Sequence, residues 1–145
     1  LRERAPVTIS DLKSYPEYGD PEIIYYSGEA SFSVQFDLPD TVAGMNPLYL
    51  SLGAVADGYS VSLNDRSLGS AGFPGYRFTA TELAIPGKNT LEVKVGNCYR
   101  NRIIGEMIQE GELKTLWTTS PIRQYLDPGK PLKEAGIAGP LQFLW

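Results

Sequence analysis

Hydrophobic and polar residues alternate along four short stretches of the chain. From Ala30 to Leu38 every second residue is apolar, and the residues between them are Ser, Gln and Asp. The same alternation occurs in residues 48–52, 59–63 and 91–95. Because successive side chains of a β-strand point to opposite faces of the sheet, each stretch predicts a strand with one buried face and one face in water.

Turn residues separate these predicted strands. Asn64-Asp65 follows the stretch that ends at Leu63, and both residue types tolerate the positive φ angles of a tight hairpin. Pro86-Gly87 precedes the stretch 91–95 and supplies a fixed φ angle followed by an unrestricted one. The apolar stretches are therefore expected to be short strands joined by tight turns.

The remaining segments add few further elements. Residues 106–133 show the least pattern and predict a surface excursion, within which the β-forming residues of LKTLWTT indicate one strand. Leu141 to Trp145 predict the last strand. With about eight or nine short strands and little helix, the predicted fold class is all-β, an antiparallel β-sandwich of the jelly-roll type.

Size and composition limit the classes of function. The 145 residues predict a single domain, 1–145, with residues 1–22 as an entry arm that packs against it. The net charge is -4 and no cluster of Lys and Arg exceeds two adjacent residues, so no nucleic-acid partner is expected. No apolar run approaches the ~20 residues that span a bilayer, so no membrane partner is expected either.

Two residue types are scarce or absent. The chain has no histidine, which removes imidazole metal ligands and every nucleophile arrangement that depends on His. The single cysteine, Cys98, cannot form an internal disulfide, and we expect it to be a small buried core residue rather than a thiol activated by Arg100 or Arg102. The chain lacks an initiating Met, and we interpret it as one domain of a longer protein.

Aromatic and basic residues next to predicted loops are candidates for sugar contacts. An aromatic face packs against the C–H face of a pyranose, and Arg hydrogen-bonds hydroxyls in a bidentate manner. The alternative is that these side chains cover the ends of the core and tie loops together. The candidate carbohydrate-binding residues are Tyr76, Arg77, Tyr99, Arg100 and Trp117.

Carboxylate groups are the other candidates for chemistry. A structural calcium ion is compatible with acidic residues near the predicted loops, although no spacing resembles a dedicated calcium loop, and solvated surface charge is the favoured interpretation. A glycosidase needs two opposed carboxyl groups, and Glu106, Glu110 and Glu112 are interpreted instead as a solvated run without catalytic function. No other cofactor is indicated. The acidic residues considered for calcium are Asp20, Glu22, Glu29, Asp37, Asp40 and Asp57.

Several segments together resemble a known family. From about Pro21 to the end, the chain resembles the C-terminal galactose-binding-like jelly-roll domain of bacterial α-L-rhamnosidases of glycoside hydrolase family 106, and it is also similar to the sugar-binding domain of family 2 enzymes. The hairpin residues Asn64-Asp65 depart from the Asn-Gly that members of the family often carry. The segments that carry the resemblance are YYSGEASFSVQFDLP, LYLSLGAVADGYSVSLNDRSLG, IPGKNTLEVKVGNCYRNRIIGE and AGIAGPLQFLW.

The resemblance implies a non-catalytic accessory module of a secreted or periplasmic bacterial enzyme that degrades plant cell-wall polysaccharide. Its implied partners are a glycan, rhamnose-containing in this family, and the catalytic domain of the same polypeptide. In such enzymes the module binds glycan or only braces the catalytic domain, and both alternatives stay open here. Asn97, Asn101 and Arg102 are expected to be fold determinants that satisfy turn carbonyls rather than sugar ligands.

Overall fold

The structure is a computed structural model that describes residues 7, 9, 11–113 and 129–145. Within these residues the elements are mostly strands. The strands are β1 (Gly28–Leu38), β2 (Tyr49–Ser51), β3 (Ala54–Val55), β4 (Tyr59–Leu63), β5 (Arg66–Ala71), β6 (Arg77–Thr79), β7 (Gly87–Asn97), β8 (Ile137–Ala138) and β9 (Gln142–Leu144). The helices are α1 (Pro21–Ile24), α2 (Asp40–Ala43) and α3 (Arg100–Glu110), with a 3-10 turn at Tyr15–Glu17. The strand predicted within LKTLWTT lies outside the described residues.

The strands form two main antiparallel sheets. One sheet has the order β1-β7-β4-β5 and the other has the order β6-β2-β9, while β3 and β8 form a separate pair. Aromatic contacts join the two sheets, because Tyr59 of β4 lies 6.0 Å from Phe78 of β6 and Phe36 of β1 lies 5.6 Å from Phe143 of β9, measured between ring centroids. The predicted all-β sandwich is confirmed.

The alternating stretches supply the core. In the stretches 48–52, 59–63 and 91–95, the first, third and fifth side chains are all at most 4 % exposed. Each of these predicted faces is therefore buried. At β1 the apolar face is only half covered, and Val34 remains 42 % exposed. Among the described strands, β1 lies at the edge of its sheet with β7 as its neighbour.

The β4–β5 hairpin has the predicted turn and an additional side-chain lock. Asn64 and Asp65 have φ angles of 51° and 62°. The amide of Asn64 donates to the carbonyl of Leu83 and to Oδ1 of Asn89, both at 2.8 Å. Asn89, which is 2 % exposed, donates from Nδ2 to the carbonyls of Ile85 and Gly87, and its Oδ1 accepts from Ile85 N at 3.0 Å. These bonds join the hairpin to the turn before β7.

Helix α3 was not predicted. Its signal in the sequence is weak because Gly105 lies mid-helix, where glycine costs about 1 kcal/mol relative to alanine, and because the side chain of Tyr99 makes no N-terminal cap. Its C-terminal end is marked by Gly111 at φ 72°. Tyr99 and Arg100, expected in a loop, therefore begin a helix, and Glu106, expected to be solvated, is 7 % exposed.

Candidate functional site

Loops of the candidate site leave the same end of the four-stranded sheet. Tyr59, at the start of β4, pairs with Val95 near the end of β7 and with Ala71 at the end of β5. Because neighbouring strands lie about 4.8 Å apart, Val95 and Ala71 are separated by roughly 10 Å. The loop 72–76 and the segment that leads into α3 thus begin side by side. These two segments carry the two predicted pairs of candidate residues, Tyr76-Arg77 and Tyr99-Arg100.

The loop 72–76 presents two aromatic side chains. Pro74 and Gly75, at φ 76°, form its turn, and the rings of Phe73 and Tyr76 on either side meet edge to face at 5.6 Å. The two residues are 58 % and 41 % exposed. The ring of Tyr76 also packs against Phe78 of the core at 4.8 Å, and the hydroxyl of Tyr59 donates to the carbonyl of Phe73 at 3.1 Å. Contacts with the buried residues Phe78 and Tyr59 therefore hold the exposed aromatic pair in place.

Arg77, the residue after Tyr76, adds an exposed cation to this end of the sheet. It is exposed on β6, opposite Ser51 of β2. Within the described ranges, no hydrogen bond or ion pair engages its guanidinium group. An exposed ring and an exposed guanidinium group on consecutive residues are the side-chain types of a sugar contact, and the carbohydrate-binding role of Tyr76 and Arg77 stays a prediction.

The second predicted pair, Tyr99 and Arg100, is less available for contact with a sugar. Tyr99 is 59 % exposed, but Arg100 donates from Nη2 to the carbonyl of Pro131 at 3.3 Å and so braces the chain. Trp117, the fifth candidate, lies outside the described residues. The two pairs share one end of the sheet.

Asn97 and Asn101 have the structural role predicted for them. Asn97 donates to the carbonyl of Gly28 at 3.3 Å and accepts from Gly136 N at 3.0 Å. Asn101 is 2 % exposed, donates to the carbonyl of Lys133 at 2.6 Å and accepts from Lys133 N at 2.8 Å. Both side chains fasten residues 133–136 to the sheet and to α3.

Arg102 contacts the next turn of its own helix, and its predicted role at a turn carbonyl stays a prediction. Its Nε lies 3.3 Å from Oε1 of Glu106, four residues along α3. Glu106, Arg102 and Glu110 line a cavity of about 270 Å³ between α1 and α3. This cavity was not predicted from the sequence, although the spacing of four residues from 102 to 106 to 110 is a helical signal. The other lining residues include Glu22, Tyr25, Gly105 and Gln109.

Cys98 is exposed, which corrects the prediction of a core cysteine. It follows the last residue of β7, so its side chain lies beyond the covered part of the sheet. Lys133 Nζ lies 3.8 Å from its sulfur and forms an ion pair with Asp57. The hydrogen bond to Asp57 raises the pKa of Lys133, so this lysine is charged at neutral pH. The cation next to Cys98 is therefore Lys133, where the sequence analysis considered Arg100 and Arg102.

Two searches of the described residues bear on metals and membranes. Among the residues that the structure describes, no group of three or more Cys, Asp or Glu side chains is arranged to hold a metal ion. Of the acidic residues considered for calcium, Asp20 accepts a hydrogen bond from Glu22 N at 2.9 Å, as the N-cap of α1. No described helix is both long enough and apolar enough to cross a membrane.

Comparison with known proteins relates the chain to parts of glycoside hydrolases. No family model matches the sequence. A rhamnosidase from Novosphingobium sp. PP1Y matches 93 % of this chain with a TM-score of 0.80 and 33 % identity, and the match covers 12 % of that protein. A Formosa agariphila protein named "Putative beta-glucuronidase" is 28 % identical over 94 % of this chain and 14 % of its own length.

A β-glucuronidase from Ruminococcus gnavus shares the fold over 65 % of this chain, with a TM-score of 0.56 and 24 % identity. The chain thus spans less than a fifth of the length of each of these relatives. Similarity to a rhamnosidase and to glucuronidases confirms the relation to glycoside hydrolases that the sequence suggested.

Proposed function

We propose that this chain is a non-catalytic accessory domain of a bacterial glycoside hydrolase that degrades polysaccharide, of the α-L-rhamnosidase type of family 106. The observation that carries the proposal is the match of 93 % of the chain, at a TM-score of 0.80, to only 12 % of a rhamnosidase. A (β/α)8 catalytic barrel needs about 250 residues and does not fit into a chain of 145 residues. The parent enzyme is secreted or periplasmic, in keeping with a polysaccharide substrate.

The domain contacts glycan through the end of the sheet that carries loop 72–76. Tyr76 and Arg77 form the principal contact, and Tyr99 and Arg100 lie on the adjacent segment; Trp117 remains a candidate from the sequence. The exposed ring of Tyr76, packed on Phe78, supports this assignment because stacking requires a ring that stays in position. The glycan is a plant cell-wall polysaccharide that contains rhamnose.

Isothermal titration of the purified chain with rhamnose-containing pectic oligosaccharides tests this contact. Tyr76→Ala and Arg77→Ala are each expected to weaken binding by roughly tenfold, which corresponds to ~1.4 kcal/mol. Arg66→Ala is the matched control, since Arg66 is also exposed but lies at the hairpin, at the opposite end of the sheet. Equal affinities of the Arg77→Ala and Arg66→Ala proteins would contradict a contact at this end.

A second candidate function is bracing of the catalytic domain without glycan affinity. It is favoured by apolar side chains that the described residues leave uncovered, among them Val34 at 42 % and Trp145 at 67 % exposure. A flat titration with every glycan, from a folded protein, would support bracing. Hydrolysis of aryl glycosides by the purified chain would contradict both non-catalytic functions.

A further inference from the structure

We propose that the outward face of the sheet β6-β2-β9 binds an acidic glycan, with the carboxylate of a uronate residue on Arg77 and sugar hydroxyls on Ser51 and Gln142. This proposal rests on the glycan-binding function proposed above and names the charge class of the glycan and the surface that it crosses. The surface, named the outer face below, consists of Tyr49, Ser51, Arg77, Thr79, Gln142 and Leu144.

The residues between these six show which side of the sheet they occupy. Phe78 of β6 and Leu50 of β2 are buried in the core. Phe143 of β9 contacts Phe36 of the other sheet, with 5.6 Å between the ring centroids. Because side chains alternate along a strand, the neighbours of Phe78, Leu50 and Phe143 point away from the core. The outer face is therefore a surface of the sandwich.

The strand register arranges the outer face in two rows. Ser51 of β2 pairs with Arg77 of β6 on one side and with Gln142 of β9 on the other. Since neighbouring strands lie about 4.8 Å apart, this row extends over roughly 10 Å. A guanidinium group and a carboxamide thus lie on either side of a hydroxyl group. These groups together donate and accept hydrogen bonds, as the hydroxyls of a glycan require.

Tyr49 supplies the apolar part of the contact. It is partly exposed and occupies the centre of the second row, where it pairs with Thr79 and with Leu144. A strand on each side limits the movement of its ring. An aromatic ring in such a position can pack against the C–H face of a pyranose whose hydroxyls contact the first row.

The charge of the outer face favours an acidic sugar. Arg77 is the only Arg, Lys, Asp or Glu among the six residues. Across residues 11–113 and 129–145, no hydrogen bond, ion pair or ring contact engages the side chains of the outer face. The guanidinium group therefore keeps its charge uncompensated in a chain of net charge -4. Because a guanidinium group binds a carboxylate more strongly than a neutral hydroxyl, a uronate is the matching sugar.

The outer face continues the contact already proposed for loop 72–76. Arg77 begins β6 directly after Tyr76, and Ser51 and Gln142 are the residues of β2 and β9 that lie at this end of the sheet. One glycan chain can therefore contact the loop and then cross the three strands along the row that begins at Arg77.

The test is a nitrogen-15 NMR titration of the chain with trigalacturonate and, separately, with its methyl ester, in which every carboxylate is replaced by a neutral ester. Trigalacturonate is expected to shift the amides of residues 49–51, 77–79 and 142–144 and to bind about tenfold more tightly than the ester. At about 1 M salt, where the Debye length is about 3 Å, this difference should shrink. Equal affinities of the two probes at the outer face would overturn the proposal.

Substitution at Arg77 tests the carboxylate contact. Arg77→Gln is expected to lower the affinity for trigalacturonate about tenfold, to the level of the ester, because the charge-assisted hydrogen bonds are lost. Arg66→Gln is the matched control, since Arg66 is also exposed but lies at the hairpin. An equal loss in both variants would show attraction by overall charge alone and would contradict the assigned contact.

Substitution at Gln142 tests the far end of the row. Gln142→Ala is expected to weaken both probes by roughly threefold to tenfold, the effect of one lost hydrogen bond. Gln35→Ala, on the outward face of β1, is expected to leave both affinities unchanged. Unchanged binding by Gln142→Ala would contradict a glycan that crosses the strands. Comparison of the unliganded spectra shows whether each variant retains the native fold.

The shift map separates this proposal from the proposed function. Shifts confined to residues 72–76, with equal affinities for the acid and the ester, would leave the loop contact standing and remove the outer face. Shifts confined to the outer face would support the outer face and remove the loop contact. The absence of any shift, with these probes and with rhamnose-containing pectic oligosaccharides, would remove both.

Discussion

Removal of the Asn89 side chain offers a sharp test of how the hairpin is held. Asn89→Ala deletes four hydrogen bonds, two donated to carbonyls and two accepted at Oδ1, in a residue that is 2 % exposed. At a net 0.5 to 1.5 kcal/mol for each bond, the loss lies at roughly 2–6 kcal/mol. Ile85 is 49 % exposed, so water reaches part of this residue and the lower half of this range is expected, about 2–4 kcal/mol.

Equilibrium unfolding in urea, followed by circular dichroism, measures this change. Gln35→Ala is the control, because it removes an exposed carboxamide from β1 and is expected to change stability by less than about 0.5 kcal/mol. If Asn89→Ala were as mild as Gln35→Ala, the amide network would contribute nothing to stability and the reasoning would be refuted.

Asn89→Asp sharpens the same test. It places a second acceptor oxygen against the carbonyls of Ile85 and Gly87, which raises the pKa of the new carboxyl group in the folded state. A raised pKa means that the stability of this variant is greatest below about pH 4 and falls as the pH rises through the folded-state value. A variant that is equally stable at acidic and neutral pH, relative to the native protein, would contradict the geometry.

Two further predictions concern packing and ionisation. Gly105→Ala is expected to lower the free energy of unfolding by about 1–2 kcal/mol in thermal unfolding. The reason is that the clash of the new Cβ atom with Tyr25 outweighs the gain in helix propensity of about 1 kcal/mol. In a Tyr25→Ala background the same substitution should instead be neutral or stabilising. Burial raises the pKa of Tyr15 to about 12 from 10.0, so its contribution to stability is complete below pH 10.0 and is lost as the pH rises to about 12. Tyr15→Phe should therefore flatten the fall in unfolding free energy, about 3 kcal/mol over this window, and an unchanged alkaline slope would count against the buried phenol.

The sequence predicted the sheets well because their signals are local. Each alternating stretch, such as residues 59–63 and 91–95, specifies the buried face of one strand without reference to the rest of the chain. In the same way, Asn64-Asp65 specify one turn. The exposure of Val34 did not follow from its alternating position, since it depends on which other elements cover β1, and β1 lies at the edge of the described four-stranded sheet.

The cavity could not be predicted for a related reason. Gly105 weakens the local helical signal. A glycine is needed at this position because the ring of Tyr25, which lies 80 residues earlier in the chain, packs against it. The exposed positions of Tyr76 and Arg77 were predictable from the neighbouring Pro74-Gly75 turn. The burial of Glu106 was not, because Glu106 shares its cavity with Pro21 and Tyr25, which lie more than 80 residues earlier in the chain.

The anchoring of residues 131–136 has an evolutionary consequence. Asn101 and Arg100 hold Lys133 and Pro131 at the base of α3. Because Asn101 is 2 % exposed and both donates to and accepts from the backbone of Lys133, a replacement that lacks an amide group leaves one of these backbone groups unpaired. Natural variants of this chain are thus expected to retain Asn at position 101 and to tolerate change at the more exposed Arg100.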